Sequence, residues 1–94
     1  MSFTIVWDIK ARDFLKKLNK ADSQRIIKKI NSIADDPKHY LEILVEIVCY
    51  KLRIGDFRAL IDLNESKQII TVVLVGHRKD IYQYIQREHF KTKY

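Results

Sequence analysis

Apolar residues recur along this chain with two different periods, and the changes of period mark its elements. Phe3, Ile5 and Trp7 alternate with Thr4 and Val6, the two-residue repeat of a strand. The spacing then lengthens. Ala11, Phe14, Leu15 and Leu18 fall on one face of a helix that Asp8 can cap, and Lys10, Lys16 and Lys17 avoid that stripe. Asn19-Lys20 interrupts the pattern. Asp22 or Ser23 is expected to cap a second helix with Ile26, Ile27, Ile30, Ile33 and Ala34 inward, and Arg25, Lys28 and Lys29 outward. Pro37 ends it, because a residue preceding proline disfavours the helical region. Two helices joined by so short a turn form an α-hairpin able to cover a sheet, with their lysines as a solvated surface.

Leu41 to Val48 carries both signals: it is apolar enough for a strand, yet Glu42 and Glu46 are spaced as on a helix. It reads as a loop running into a strand. From Tyr50 to Leu63 the two-residue period is clean. Gly55-Asp56 sits between two alternating runs, as a two-residue type II′ hairpin turn requires. That turn pairs Ile54 with Phe57, Arg53 with Arg58, Leu52 with Ala59 and Lys51 with Leu60. Facing pairs share a face, so Leu52, Ile54, Phe57 and Ala59 lie on one side and Lys51, Arg53 and Arg58 on the other. Asn64-Glu65-Ser66 supplies the next turn. Gln68 to Val75 is apolar on both faces, as in a central strand, and Gly76 ends it. A last helix is expected from Arg78 or Lys79 through Ile81, Tyr84, Ile85 and Glu88, with fraying from Lys91.

Ninety-four residues make one domain, spanning residues 1–94, and the order of its expected helices and strands makes it α+β. Hydrophobic residues make up 47%, with two glycines and one proline, which argues against disorder. Cys49 is the single cysteine, so no disulfide forms within the chain and a reducing cytoplasm fits. No apolar run approaches the roughly 18–20 residues of a membrane span, and no signal peptide is expected. The formal charge is +6, divided as +2 over residues 1–50, +1 over 51–76 and +3 over 77–94. Such a balance favours an anionic partner, nucleic acid first.

Chemistry concentrates between Tyr50 and Tyr82. Arg53 and Arg58 face each other across the hairpin, which is unfavourable by up to ~1 kcal/mol unless an anion intervenes. Phosphate is the anion that arginine recognises best. His39, His77 and His89 have no metal-ligand spacing, and no glycine-rich phosphate loop occurs. No metal or cofactor is expected. Cys49 reads as a packing residue. A set of Arg, Lys, Tyr and His suits cleavage of RNA through its own 2′-hydroxyl, which needs neither metal nor protein nucleophile. Arginines would stabilise charge on the phosphorane. Because arginine stays protonated, Lys51 and Tyr82 are the candidates for proton transfer.

Tyr50-Lys51-Leu52-Arg53-Ile54-Gly55-Asp56-Phe57-Arg58, followed by Val75-Gly76-His77-Arg78-Lys79-Asp80-Ile81-Tyr82, resembles the RelE toxins of type II toxin–antitoxin systems, within the RelE/ParE superfamily. The resemblance extends to the strand–helix–helix opening. It implies two N-terminal helices on a twisted, mainly antiparallel four-stranded sheet, with a C-terminal helix. It also implies a metal-independent, ribosome-dependent mRNA endonuclease that leaves a 2′,3′-cyclic phosphate and inhibits translation in the cytoplasm. The implied partners are a RelB-like antitoxin, in a complex that is oligomeric, together with the ribosome and mRNA, and no membrane. By motif, Lys51, Arg58, Arg78 and Tyr82 take catalytic positions, and Arg53, His77 and Lys79 take RNA-binding ones. Two other readings compete: a ParE-like DNA gyrase inhibitor without nuclease activity, and an inactive RNA-binding homologue.

Overall fold

The computed structural model describes residues 2–44 and 49–93, with 88–93 as backbone. In chain order the elements are β1 (Thr4–Trp7), α1 (Ile9–Lys17), α2 (Lys20–Ser32), α3 (Pro37–Tyr40), β2 (Glu42–Leu44), β3 (Cys49–Ile54), β4 (Phe57–Asn64), β5 (Ile69–His77) and α4 (Arg78–Lys93). The first helix begins where its cap predicts: the Asp8 carboxylate accepts from the Ile9 amide at 2.8 Å. The second starts earlier than Asp22 or Ser23. Asn19 is extended, and its side-chain oxygen accepts from the Asp22 amide at 2.8 Å. Its amide nitrogen reaches back to the Asp22 carboxylate at 3.1 Å. Asn caps as well as Asp or Ser, so the residue that looked like an interruption is the start of α2. Pro37, buried at the first position of α3, needs no hydrogen-bonded amide there and carries a φ suited to a helix. It therefore opens a short helix of its own, and α2 has already ended at Ser32, before the proline is reached. At the other end, α4 continues to Lys93, past the point where fraying was expected.

The class is α+β and the sheet is mainly antiparallel, but it has five strands in the order β1-β5-β4-β3-β2 rather than four. The extra strand comes from the ambiguous segment: Glu42–Leu44 pairs antiparallel with β3, setting Glu42 opposite Lys51. The remainder of that segment, with Glu46, lies outside the described residues. The one parallel pair joins β1 to β5.

The hairpin register matches expectation at every pair from Lys51–Leu60 to Ile54–Phe57. Gly55 has φ +58°, and it is the only central turn residue with a positive φ, as a type II′ turn demands. Between β4 and β5 the register slips at Leu60/Ile61, so Leu60 faces Leu74 while Ile61 faces Val72. The extra residue, Val73, lies on β5, so Val75 and Val72, three apart, both face the core while β4 alternates regularly.

Two apolar layers result. Ala11, Ile26, Ile30 and Ile33 from the helices bury against Leu52, Ile54, Phe57, Ala59, Ile61 and Val72 of the sheet. On the other face Ile81 and Ile85 of α4 cover Leu60, Leu74 and Cys49. Gly76 makes that second contact possible. A β-carbon there would lie 3.1 Å from Ile81 Cδ1, so the Ile81 side chain would have to give by a few tenths of an ångström. The helix start is also pinned to the turn, since the Arg78 amide donates to the Asp56 carbonyl at 2.8 Å.

Candidate functional site

The α4 layer covers only part of its face of the sheet. Beyond it, towards the hairpin turn, lies a cleft of about 290 Å³ lined by Glu42, Lys51, Arg53, Arg58, Arg78 and Tyr82. Strand period brings the basic residues together. Lys51 and Arg53 are two apart on β3, and Arg58 is Arg53's partner on β4. Gly76 opposes Arg58 on β5, and the chain leaving it delivers Arg78 and then Tyr82, one helical turn on, to the same rim.

Arg53 and Arg58 avoid each other by unequal exposure. Arg53 is exposed, whereas Arg58 is buried at 3% exposure. Its Nη1 donates to the carbonyls of Gly55 at 2.6 Å and Phe57 at 2.8 Å. The turn's carbonyl dipoles thus hold a buried guanidinium, and among the described residues it has no carboxylate partner. A buried cation in that condition, at the edge of a cleft, is set up for an incoming anion.

Lys51 is half-buried. Its Nζ lies 3.5 Å from the Glu42 carboxylate and 5.4 Å from the centre of the Tyr82 ring. The Arg78 guanidinium lies 6.0 Å from the same ring. Tyr82, 41% exposed, is therefore flanked by two cations that fix its position through cation–π attraction while leaving ring surface open. Arginine and tyrosine arranged in this way can clamp a phosphate and stack a base beside it.

Of the residues singled out in sequence, Lys51, Arg53, Arg58, Arg78 and Tyr82 line the cleft. His77 and Lys79 do not. His77 pairs in register with Phe57 and so points to the opposite face, where it packs on the rings of Phe57 at 4.9 Å and Phe14 at 5.8 Å. Lys79 is exposed in the first turn of α4. Glu42 was missed, and it is the one carboxylate in the lining. The signal for it is a register match, visible only once β2 is paired with β3. Cys49 lies under α4, and burial, with a smaller contribution from Asp62, pushes its thiol up to about 11, as suits a packing residue. Among the described residues no three His, Cys, Asp or Glu side chains group as metal ligands. Nor is any described helix long and apolar enough to cross a membrane.

The model of the ParE toxin of type II toxin–antitoxin systems (parDE) matches residues 5–82, a span that includes every residue of the cleft. The chain belongs to this toxin family, in the RelE/ParE superfamily. Solved RelE structures share the fold. The RelBE2 toxin–antitoxin complex of Mycobacterium tuberculosis superposes with a TM-score of 0.76 at 20% identity, covering 83% of this chain and 100% of that one. A double arginine mutant of Escherichia coli toxin RelE in the free state gives 0.74 at 21% identity over 98% of both chains. The RelB–RelE complex of Methanococcus jannaschii gives 0.66 at 23% identity, covering 84% of this chain and 96% of that one. A search of curated proteins gives no match. The protein is thus a type II toxin with a RelE-like fold.

Proposed function

We propose that this toxin is a metal-independent endoribonuclease that cuts mRNA on the ribosome and so inhibits translation in the cytoplasm. The observation that carries the reading is the convergence of Lys51, Arg53, Arg58, Arg78 and Tyr82 on one cleft, with Arg58 buried and free of any carboxylate partner among the described residues. In the reaction, the 2′-oxygen attacks the adjacent phosphorus and the bond to the 5′-oxygen breaks. A 2′,3′-cyclic phosphate and a free 5′-hydroxyl result. One proton leaves the 2′-oxygen and one arrives at the 5′-oxygen, and no external water or metal is consumed. Arg58 and Arg78 stabilise the charge that grows on the phosphorane oxygens. Lys51 and Tyr82 move the protons. Arg53 extends the contact along the RNA, and His77 and Lys79 serve RNA outside the cleft. A RelB-like antitoxin is the proposed partner, since two of the structural relatives described above are RelB complexes.

The match to the ParE model favours a second reading, a gyrase-directed toxin without nuclease chemistry. Purified protein with programmed ribosomes and mRNA, run beside the same protein with gyrase and DNA, separates the two. Cleavage with cyclic phosphate ends, reduced about 10²–10³-fold by Arg78→Ala, is the expected result. Intact RNA alongside stabilised gyrase–DNA cleavage complexes would select the second reading.

A further inference from the structure

The hairpin turn is engaged on the cleft side through three successive carbonyls. Those of Gly55 and Phe57 accept from Arg58 Nη1 at 2.6 and 2.8 Å, and the Asp56 carbonyl between them accepts from the Arg78 amide at 2.8 Å. The turn therefore sets two things at once: the guanidinium of Arg58, and the origin of the helix that delivers Arg78 and Tyr82. Yet its first central residue is a glycine at φ +58°, the residue type with the widest backbone freedom. A second restraint comes from its other side.

That side is occupied by Arg25 of α2. The helices pack on the sheet face that bears Leu52, Ile54, Phe57 and Ala59, opposite Arg53 and Arg58. There the Arg25 guanidinium lies 5.6 Å from the centre of the Phe57 ring. A β-carbon on Gly55 would meet its Cζ, Nη1 and Nη2 at 3.8, 3.8 and 3.9 Å, ordinary van der Waals distances. One planar cation thus spans the start of the turn and the ring at its end, which the point charge of a lysine does not reproduce.

Arg25 is itself aimed. Its Nη2 lies 3.3 Å from one oxygen of Asp22, whose other oxygen accepts from Asn19 Nδ2 at 3.1 Å. Asn19 in turn caps α2. As an exposed ion pair the Arg25–Asp22 contact adds little to stability. What it does here is orient the guanidinium. Phe57 is buried, and its ring packs on Phe14 at 6.1 Å and His77 at 4.9 Å. Phe57 and Arg58 are neighbours on β4 with side chains on opposite faces, and the Phe57 carbonyl is one of the two acceptors that hold Arg58. Movement of the turn on the helix side is passed in this way to the cleft.

We propose that Arg25 is a positioning residue for the reaction: from the helix face it clamps the Gly55–Phe57 turn, and so holds the Arg58 guanidinium where the phosphorane forms. This rests on the nuclease reading of the cleft. The effect is large for so remote a group because misplacement of a reacting element by about 1 Å can cost ~10²-fold in rate.

The test compares wild type with Arg25→Ala, Arg25→Lys, Arg58→Ala, the Arg25→Ala/Arg58→Ala double variant and Lys28→Ala, which removes an exposed charge from the same helix. Circular dichroism checks folding, and Arg25→Lys carries the test should alanine unfold the chain. Cleavage of mRNA on programmed ribosomes is measured as kcat and KM. Arg25→Ala is expected to lower kcat by about tenfold or more with KM within about twofold, because Arg58 acts on the transition state. Arg25→Lys should lower kcat by about threefold, and Lys28→Ala should leave it unchanged. The double variant should be no more than about twofold slower than Arg58→Ala, since the clamp has nothing left to hold. A rise in KM with kcat intact would assign Arg25 to substrate contact and overturn the proposal, as would losses that multiply in the double variant. The side-chain N–H resonance of Arg58 gives a readout independent of cleavage. It should move in Arg25→Ala and Arg25→Lys and stay in place in Lys28→Ala. An unmoved signal would overturn the proposal whatever the kinetics show. A moved signal in a protein whose wild type cuts no RNA would fail the nuclease reading alone and leave the clamp standing.

Discussion

Replacing Arg58 with alanine removes a cation from the cleft and, with it, the donor that closes the hairpin turn. Nη1 gives hydrogen bonds to the Gly55 and Phe57 carbonyls at 2.6 and 2.8 Å, and bonds from a charged donor are worth about 1.5–3 kcal/mol each. Two effects reduce the net loss. Gly55 is exposed, so water can replace the donor there, and truncation also removes a buried charge that is costly to desolvate. The net destabilisation expected is about 1–3 kcal/mol. For a domain of this size each kcal/mol lowers the melting midpoint by about 4–8 °C, which places the variant some ~5–20 °C below wild type. A total stability on the order of 5–10 kcal/mol leaves it folded at 25 °C. Arg78 is exposed, and its side chain makes no such bond among the described residues, so Arg78→Ala should melt within about 2 °C of wild type. Thermal unfolding followed by circular dichroism, with and without inorganic phosphate, reads both roles of Arg58. Phosphate should stabilise wild type by binding the folded state, and should do so less for Arg58→Ala. An Arg58→Ala midpoint within about 2 °C of wild type would contradict the structural role of Arg58, and no phosphate effect on wild type would contradict its role as an anion site. Cleavage by this variant must accordingly be measured well below its midpoint, where a fall of about 10²–10³-fold is the catalytic share.

Two further outcomes follow from the same geometry. Glu42→Gln releases half-buried Lys51 from an exposed carboxylate 3.5 Å away, and solvent on the Glu42 side holds such a pair to about 1 kcal/mol, so RNA affinity in filter binding should rise by about two- to fivefold; a fall would mean that Glu42 serves the substrate directly. The Cys49 thiol, raised to about 11, should alkylate far more slowly than in denaturant at pH 9, gaining rate only towards pH 11. The sign is that of an acid whose folded value exceeds its unfolded one, so its contribution to stability is complete below about pH 9 and declines as pH rises through 11. Fast reaction at pH 8 would contradict the burial under α4.

The hairpin was readable because three signals agreed: a two-residue period, a glycine where the turn needs positive φ, and like residues in facing positions. That agreement placed Lys51, Arg53 and Arg58 on one face, and Gly76 brought Arg78 and Tyr82 to them. Where signals conflicted, less could be read. Leu41 to Leu44 is apolar with a glutamate at a position that fits helix or strand, and pairing with β3 decides the matter, which is a long-range event. Asn19 looked like a break because its capping role depends on a backbone turn that composition does not show. His77 follows Gly76 in the motif, yet one step along a strand reverses the face, so it lies across the sheet from the cleft, which adjacency in sequence does not show. The burial of Arg58 was not legible either. It arises from the turn carbonyls folding over the guanidinium, which no spacing rule records.

Whether the cleft cuts mRNA is read by mapping mRNA ends after brief induction, in wild type beside Arg78→Ala, a variant that alters the cleft while preserving the fold. In-frame cuts within translated codons, bearing cyclic phosphate ends and absent from the variant, are predicted. Growth arrest with intact mRNA and broken DNA would contradict cleavage by the cleft.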